Sequence, residues 1–263
     1  MTATHTPVDP TTRRVPPLGG LNPTLMRIEL TRMLRNRRTI VFALVFPTAM
    51  FFVFGSGGDS QESVGLGNVS AYVMVSMAMY GGALIAASAG AGVAVERALG
   101  WSRQLRLTPL NPTAYIVVVA SVALVMGGVA ILAVNVVGVV QGKPQMPADV
   151  WVKCALLTLA CVMTFAALGV FVGYLVPGEN VMQVLGPGLA LLAFLGGLFI
   201  PLSSYSPLVR GIAYWTPMYG VSQVARAPLT QELPWYAVVN AVAWLAIFVL
   251  GAAWRMSKDT ARV

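Results

Sequence analysis

The sequence predicts an all-α integral membrane protein with six transmembrane helices, and three observations lead to that prediction. Apolar residues make up 57% of the 263 residues and charged residues 10%, against about 45–50% and about 25% in soluble domains. The mean hydropathy is +0.76. Six apolar stretches also approach the roughly 20 residues that a helix needs to cross a bilayer. They are 39–55, 69–95, 114–140, 150–176, 181–202 and 233–254.

Basic residues flank these stretches unevenly. Thirteen lie on one side of the predicted membrane: Arg13, Arg14, Arg27, Arg32, Arg35, Arg37, Arg38, Arg97, Arg103, Arg106, Arg255, Lys258 and Arg262. Four lie on the other: Lys143, Lys153, Arg210 and Arg226. Because cytoplasmic loops carry the excess of Lys and Arg, we expect both termini to be cytoplasmic.

The chain before the first span divides into two parts. Residues 1–21 are rich in Pro and Thr and predict a disordered cytoplasmic tail. A helix is then expected from Asn22-Pro23, since Asn caps helices and Pro favours their first turn. Its faces differ: Met26, Leu30, Met33 and Leu34 lie on one side, and Arg27, Thr31, Arg35 and Arg38 on the other. This indicates an interfacial amphipathic helix with its basic side among anionic lipid headgroups, or a plain positive flank that only fixes topology.

The composition excludes several classes of function. With 26 charged residues the chain has too few for a nucleic-acid-binding face, and two cysteines and one histidine leave no room for a metal site. Proton-coupled carriers need ionisable groups at membrane depth, and the span interiors hold none. Catalytic and nucleotide-binding motifs are absent too, because Gly138–Pro144 lacks the spacing of a phosphate loop. We therefore expect no enzyme activity and no cofactor on this chain.

Small residues recur at four-residue spacing in two of the stretches. They are Gly82, Ala86, Gly90 and Ala94 in the second stretch and Gly169 and Gly173 in the fourth. Such spacing lets helices approach closely. It predicts either packing within the subunit or a dimer interface.

The loop after the second stretch has an ordered pattern of residues. The second span continues into Glu96-Arg97, Gly100 permits a turn, and a short amphipathic helix follows until Thr108-Pro109 ends it. A short helix held below the membrane by two spans can transmit force to a soluble partner. The alternative is a solvated connecting loop.

Residues 96–110, with the pattern E-R-x-x-G-x-x-x-x-L-R-x-T-P-L, resemble the same loop in type-2 ABC exporter permeases, particularly bacterial drug-efflux members of the daunorubicin-resistance kind. In that family the segment is a coupling helix that docks on a separate ATPase subunit. The resemblance assigns this role to Glu96, Arg97, Gly100, Trp101, Arg103, Leu105, Arg106, Thr108 and Pro109. A second stretch, 196–226, resembles the family's external gate segment of short re-entrant helices before the last span, here with Pro201, Pro207, Trp215, Pro217 and Arg226.

The resemblance implies that residues 22–263 form the transmembrane domain of an exporter in the bacterial cytoplasmic membrane. Two such subunits, identical or homologous, would assemble with two ATPase subunits that hold ATP and Mg. The expected substrate is a hydrophobic or amphiphilic compound, either a drug or a lipid, with Asn135 and Phe194 as pathway candidates. Asn135 has an interhelical hydrogen bond as its alternative role. Three other functions stay open: an ATPase-independent carrier or channel, an exporter of a polysaccharide precursor, and a scaffold.

Overall fold

The computed structural model describes residues 23–98, 112–178 and 180–260. The predicted tail therefore lies outside the described residues. The helices, in chain order, are α1 (Pro23–Arg35), α2 (Arg37–Phe54), α3 (Val69–Ala98), α4 (Pro112–Gln141), α5 (Ala148–Leu175), α6 (Val181–Leu195), α7 (Pro207–Ala213), α8 (Pro217–Thr230) and α9 (Trp235–Thr260). Single 3-10 turns occupy Gly58–Gln61 and Leu202–Ser204, and Ser63–Val64 pairs antiparallel with Gly67–Asn68.

Four helices in the described part of the chain are long and apolar enough to cross a membrane by themselves: α3, α4, α5 and α9. A fifth crossing is reached through α1 and α2, which are bent by 64°. Because the 18 residues of α2 extend about 27 Å at helical rise, we assign that crossing to α2 and place α1 at the surface. These findings confirm an all-helical, multi-pass membrane protein, but not the predicted count of six.

The fifth predicted span differs most from the structure. It was expected over 181–202, whereas α6 has 15 residues and ends at Leu195. The helix ends because Gly196 and Gly197 form a turn, and Gly197 has φ of +73°, which favours glycine. At about 22 Å, α6 alone is shorter than the hydrocarbon core.

The helix before the first span ends at a break rather than running on into it. Asn36 separates α1 from α2, and its side-chain oxygen accepts a hydrogen bond from the Thr39 backbone N–H at 3.4 Å. The inward face of α1 also differs from the prediction. Leu30 and Met33 pack on the core, but Leu34 is 57% exposed and Glu29 is buried.

The central element is α3, which packs against α2, α4, α5, α6 and α8. Its small residues meet those of α5. A Cβ on Gly90 would lie 2.2 Å from the Ala166 carbonyl oxygen, and one on Gly169 would lie 2.0 Å from that of Ala87. Neither position accepts a side chain, so the spacing of small residues serves packing within the subunit.

The N-terminal end of α3 is joined to two loops through Asn68, which the sequence did not single out. The Asn68 side-chain oxygen accepts hydrogen bonds from the backbone N–H groups of Ala71 (2.9 Å) and Gln145 (3.0 Å), and its amide donates to the Lys143 carbonyl (2.8 Å). The preceding turn needs glycine, since Gly65 has φ of +56° and a Cβ there would lie 2.1 Å from the Leu229 carbonyl oxygen.

Candidate functional site

The predicted coupling residue Glu96 lies at the C-terminal end of α3 and is only 4% exposed. Its carboxylate forms an ion pair with Arg32 of α1 and accepts a hydrogen bond from the Tyr115 hydroxyl of α4. Arg32 also pairs with Glu29, one turn earlier on α1, at 3.0 Å. We call these four residues the Glu96 cluster. It joins α1, α3 and α4, and Arg32 lies 64 residues before Glu96 in the sequence.

Two carboxylates share one guanidinium in this cluster. Burial raises the pKa of Glu29, and the negative charge of Glu96 raises it further, while Arg32 opposes both effects. Gly92 makes the arrangement sterically feasible, because a Cβ at that position would lie 2.8 Å from the Arg32 guanidinium. The Arg32–Glu96 pair joins α1 to the end of α3. Because the Arg32 side chain is 47% exposed, water screens this pair, and it contributes less than a fully buried pair would.

The other predicted coupling residues lie outside what the structure describes. They are the side chain of Arg97, together with Gly100, Trp101, Arg103, Leu105, Arg106, Thr108 and Pro109. The structure nevertheless describes the residues on either side of that stretch. The chain leaves α3 two residues after Glu96 and enters α4 three residues before Tyr115. The Glu96 cluster thus lies where the chain leaves α3 and enters α4, on either side of residues 99–111.

A buried arginine lies near the opposite end of α3. Arg226 of α8 is 1% exposed. It donates hydrogen bonds to the Ser76 hydroxyl of α3 (3.2 Å), to the Gly197 carbonyl (2.9 Å) and to both the hydroxyl and the carbonyl of Ser222 (2.9 and 3.1 Å). Its guanidinium also lies 4.4 Å from the centre of the Tyr72 ring, a favourable cation–π contact. These five residues form the Arg226 cluster.

Arg226 was predicted to belong to the external gate segment, and its burial is an addition from the structure. The side chain packs inside the protein, and within the described residues no carboxylate pairs with it. A signal was available, because Arg226 is the single charged residue between Arg210 and Glu232. A lone charge in an apolar segment is usually buried against polar partners.

The remaining residues of the predicted gate segment do not converge on one site. Pro201 precedes the 3-10 turn, and Pro207 and Pro217 are the first residues of α7 and α8, where proline suits a helix start. Trp215 is 81% exposed, and its carbonyl accepts a hydrogen bond from the Trp244 indole at 3.0 Å. These residues therefore shape the two short helices that precede α9.

The pathway candidates are placed apart from each other. The Asn135 side-chain oxygen accepts a hydrogen bond from the Trp151 indole at 2.5 Å, and its amide donates to the Ile131 carbonyl at 2.7 Å. This links α4 to α5, which is the alternative role foreseen for Asn135. Phe194 is 42% exposed and stacks on Tyr205 with ring centres 5.8 Å apart.

Two of the residues predicted for the interfacial helix, Arg27 and Arg35, lie on the outer side of α1. Arg27 and Arg35 are exposed, and neither forms an ion pair within the described residues. The side chain of Arg38 lies outside them.

Comparison with known proteins agrees with this architecture. Residues 22–229 match the family described as ABC-2 type transporter. The chain is also 24% identical over 237 residues to the protein named "Putative transport permease YvfS" of Bacillus subtilis (strain 168), in an alignment that covers 89% of this chain and 96% of that protein. The family match spans most of the chain, from α1 to the end of the Arg226 cluster. The chain therefore belongs to the ABC-2 type transporter family of membrane permeases.

Proposed function

We propose that this chain is the permease subunit of an ATP-driven exporter that moves hydrophobic or amphiphilic compounds, a drug or a lipid, out across the bacterial cytoplasmic membrane. A separate ABC ATPase, in two copies that bind ATP and Mg, would supply the energy. A second permease subunit, identical or homologous, would complete the transporter. The membership in the ABC-2 family supports the partnership with an ATPase.

The Glu96 cluster is the observation on which this proposal rests. If residues 99–111 form the coupling helix, this charge network lies beside the two points where that helix joins α3 and α4, which supports the proposal. A push on residues 99–111 would act first on the ends of α3 and α4. Arg32 would carry the same displacement to α1, because its guanidinium forms the ion pair that joins α1 to Glu96 of α3.

The length of α3 supports a link from one side of the membrane to the other. Glu96 and Ser76 are 20 residues apart on one continuous helix, which corresponds to about 30 Å, the thickness of the hydrocarbon core. A rigid shift of α3 at the Glu96 cluster would therefore reach the Arg226 cluster and the short helices beside it. This is a mechanism by which closure of the ATPase would open an external gate.

The partners of the basic residues support the proposed orientation. The four basic residues on the predicted exterior side all have partners within the chain. Lys143 donates to the Ser56 carbonyl, and Lys153 pairs with Asp149. Arg210 donates to three carbonyls, and Arg226 is buried in its cluster. Arg27 and Arg35, on the predicted cytoplasmic side, point outward. Free basic groups suit the anionic inner leaflet, and both termini then lie in the cytoplasm if α6 contributes to a sixth crossing.

An apolar or amphiphilic substrate fits the character of the helices. The span interiors carry no acidic or basic residue, and the donors of Arg226 are occupied by protein acceptors. An ionic substrate would find no free counter-charge at these positions, and burying it unpaired would be costly.

Reconstitution with the cognate ATPase tests this function. The full chain is expressed with the genes that flank its own, purified in mild detergent together with any ABC ATPase that they encode, and placed in proteoliposomes. We expect the ATPase to co-purify and ATP to drive transport of daunorubicin or a fluorescent phospholipid. An ATPase variant that lacks its catalytic glutamate is the control and should abolish transport.

Three results would overturn the proposal. Transport of the same probes by the purified chain without any ATPase would indicate a carrier or channel. ATP-driven movement of a lipid-linked oligosaccharide alone would indicate a polysaccharide precursor exporter. An ATPase that stays bound while no substrate stimulates it would favour a scaffold.

A further inference from the structure

We propose that the outer face of α1 is a binding site for the phosphate headgroup of an anionic phospholipid. A groove of about 610 Å³ runs along this face. Within the described residues it is lined by Thr24, Arg27, Ile28, Thr31, Arg32 and Arg35. We call it the α1 groove.

The charge balance around the groove favours an anionic ligand. Both neighbouring carboxylates, Glu29 and Glu96, are buried and are already paired with Arg32. Arg27 and Arg35 remain, exposed at the groove and without an acidic partner in the part of the chain that the structure describes. Guanidinium groups bind phosphate oxygens through two parallel hydrogen bonds, so phosphate is the anion that this pair suits best.

The spacing of the arginines indicates the kind of headgroup. Arg27 and Arg35 are eight residues apart on α1, or about 12 Å along the axis, and Arg32 between them is already paired with Glu29 and Glu96. The unpaired positive charge thus lies at the two ends of the groove. A headgroup that carries two phosphates would contact both ends of it.

The surroundings favour a lipid over an acidic protein surface. Ile28 lines the groove and is 53% exposed, and Leu34 beside Arg35 is 57% exposed. An amphiphile matches such a mixture of apolar side chains and guanidinium groups. In addition, α1 is followed after one residue by α2, which we assign to the membrane, so the groove lies near headgroup depth.

The inference does not depend on the ATPase or on any transported compound. It concerns the isolated chain, and its test needs no transport activity. Failure of the lipid site would therefore leave the proposed function standing, and the reverse also holds.

Native mass spectrometry of the purified full chain measures the site directly. Cardiolipin, with two phosphates, is titrated against the protein in detergent, with phosphatidylcholine as the neutral comparison. We expect Arg27→Gln with Arg35→Gln to weaken cardiolipin binding about 25-fold, since each basic residue near an anionic surface contributes about fivefold. The charge-preserving pair Arg27→Lys with Arg35→Lys should lose less binding than the Gln pair, because lysine keeps the positive charge but not the two parallel hydrogen bonds.

A second double variant distinguishes binding at the α1 groove from attraction to the overall positive charge of the chain. Arg37→Gln with Lys258→Gln also removes two positive charges, but from exposed positions that do not line the groove. It should change cardiolipin binding less than twofold. All variants must elute as the wild type does in gel filtration.

Equal losses of cardiolipin binding in the two Gln pairs, or no loss in either, would overturn the proposed site. Displacement of cardiolipin by millimolar inorganic phosphate would identify a free-phosphate site instead. Protection of the groove by the ATPase in the complex, with no lipid bound, would identify a protein contact.

Discussion

Two arginines lie near opposite ends of α3 and are stabilised by different chemistry. Arg32 is bound by two buried carboxylates, Glu29 and Glu96, although its own side chain is 47% exposed. Arg226 is fully buried and is bound by hydroxyl and carbonyl groups, with an aromatic ring against its guanidinium. Arg32 is therefore neutralised by negative charges and remains open to water. Arg226 instead donates to uncharged polar groups and is enclosed by the protein.

This difference indicates different roles in a moving protein. The Glu96 cluster joins α1, α3 and α4 through long, partly hydrated side chains, so its contacts can lengthen and reform as the helices shift. The Arg226 cluster fixes α8 to α3 and to the Gly197 turn through a donor in a fixed planar geometry. We therefore expect the first cluster to transmit a displacement and the second to hold the external segment together.

The largest expected effect is at the enclosed end. Arg226→Met keeps much of the side-chain volume but removes the donors to Ser76 and Gly197. A buried acceptor without a partner costs about 1–3 kcal/mol, so we expect a loss of about 3 kcal/mol in unfolding free energy, measured as thermal unfolding in detergent.

Arg210→Met is the matched control for that prediction. Arg210 donates hydrogen bonds to three carbonyls, but it is only partly buried, and one of the three contacts is exposed to water. Its loss should cost less than about 1 kcal/mol, because water replaces the lost hydrogen bonds. Equal stability of Arg226→Met and wild type would contradict the anchoring role.

At the other end, the two carboxylates should differ from each other. Glu96→Gln weakens the contacts with both Arg32 and Tyr115, and hydrogen bonds to charged groups contribute about 1.5–3 kcal/mol. We expect a loss of about 2 kcal/mol. Glu29→Gln weakens one contact and also removes a buried charge, so it should stay within about 0.5 kcal/mol of wild type. Similar losses of stability for both substitutions in thermal unfolding would show that Glu96 contributes no more to the cluster than Glu29 does.

The smallest effect concerns pH. Because the pKa of Glu29 is raised above its ordinary value of 4.5 in the folded protein, the folded state holds this proton more tightly than the unfolded state. The stability linked to it is present below the ordinary value and is lost as the pH rises through the raised one. Glu29→Gln should therefore gain stability relative to wild type as the pH increases from 4.5 upward.

Melting temperatures measured across this range, for wild type and variant, test the pH dependence. Arg226→Met is the comparison, because its cluster contains no carboxylate, and its curve should run parallel to that of wild type. A Glu29→Gln curve that also runs parallel would contradict the linkage.

Much of the fold was predictable, because long apolar runs leave a membrane helix as the main solution for the backbone. The helices α3, α4, α5 and α9 follow the predicted stretches within a few residues at most ends. The early end of α6 and the break at Asn36 were not predicted. Both depend on local backbone geometry at Gly197 and on the side-chain cap at Asn36, which hydropathy does not record.

The site was predictable in part. Glu96 stood out by its pattern, but its partners did not, since Arg32 and Tyr115 come from helices 64 residues before it and 19 residues after it in the sequence. Likewise, Arg226 and Ser76 are 150 residues apart. Contacts between distant residues depend on how helices pack in three dimensions, and one sequence gives no direct signal of that packing.

The central claim is that the Glu96 cluster couples ATP hydrolysis to transport. Its most direct test is the ratio of substrate transported to ATP hydrolysed by the permease–ATPase complex in proteoliposomes, compared between Glu96→Gln and Glu29→Gln. Each change removes one negative charge from the same cluster. We predict that the ratio falls about tenfold for Glu96→Gln, a loss of about 1.4 kcal/mol of coupling, and stays near wild type for Glu29→Gln. A normal ratio in Glu96→Gln, in a complex that assembles fully, would contradict the claim.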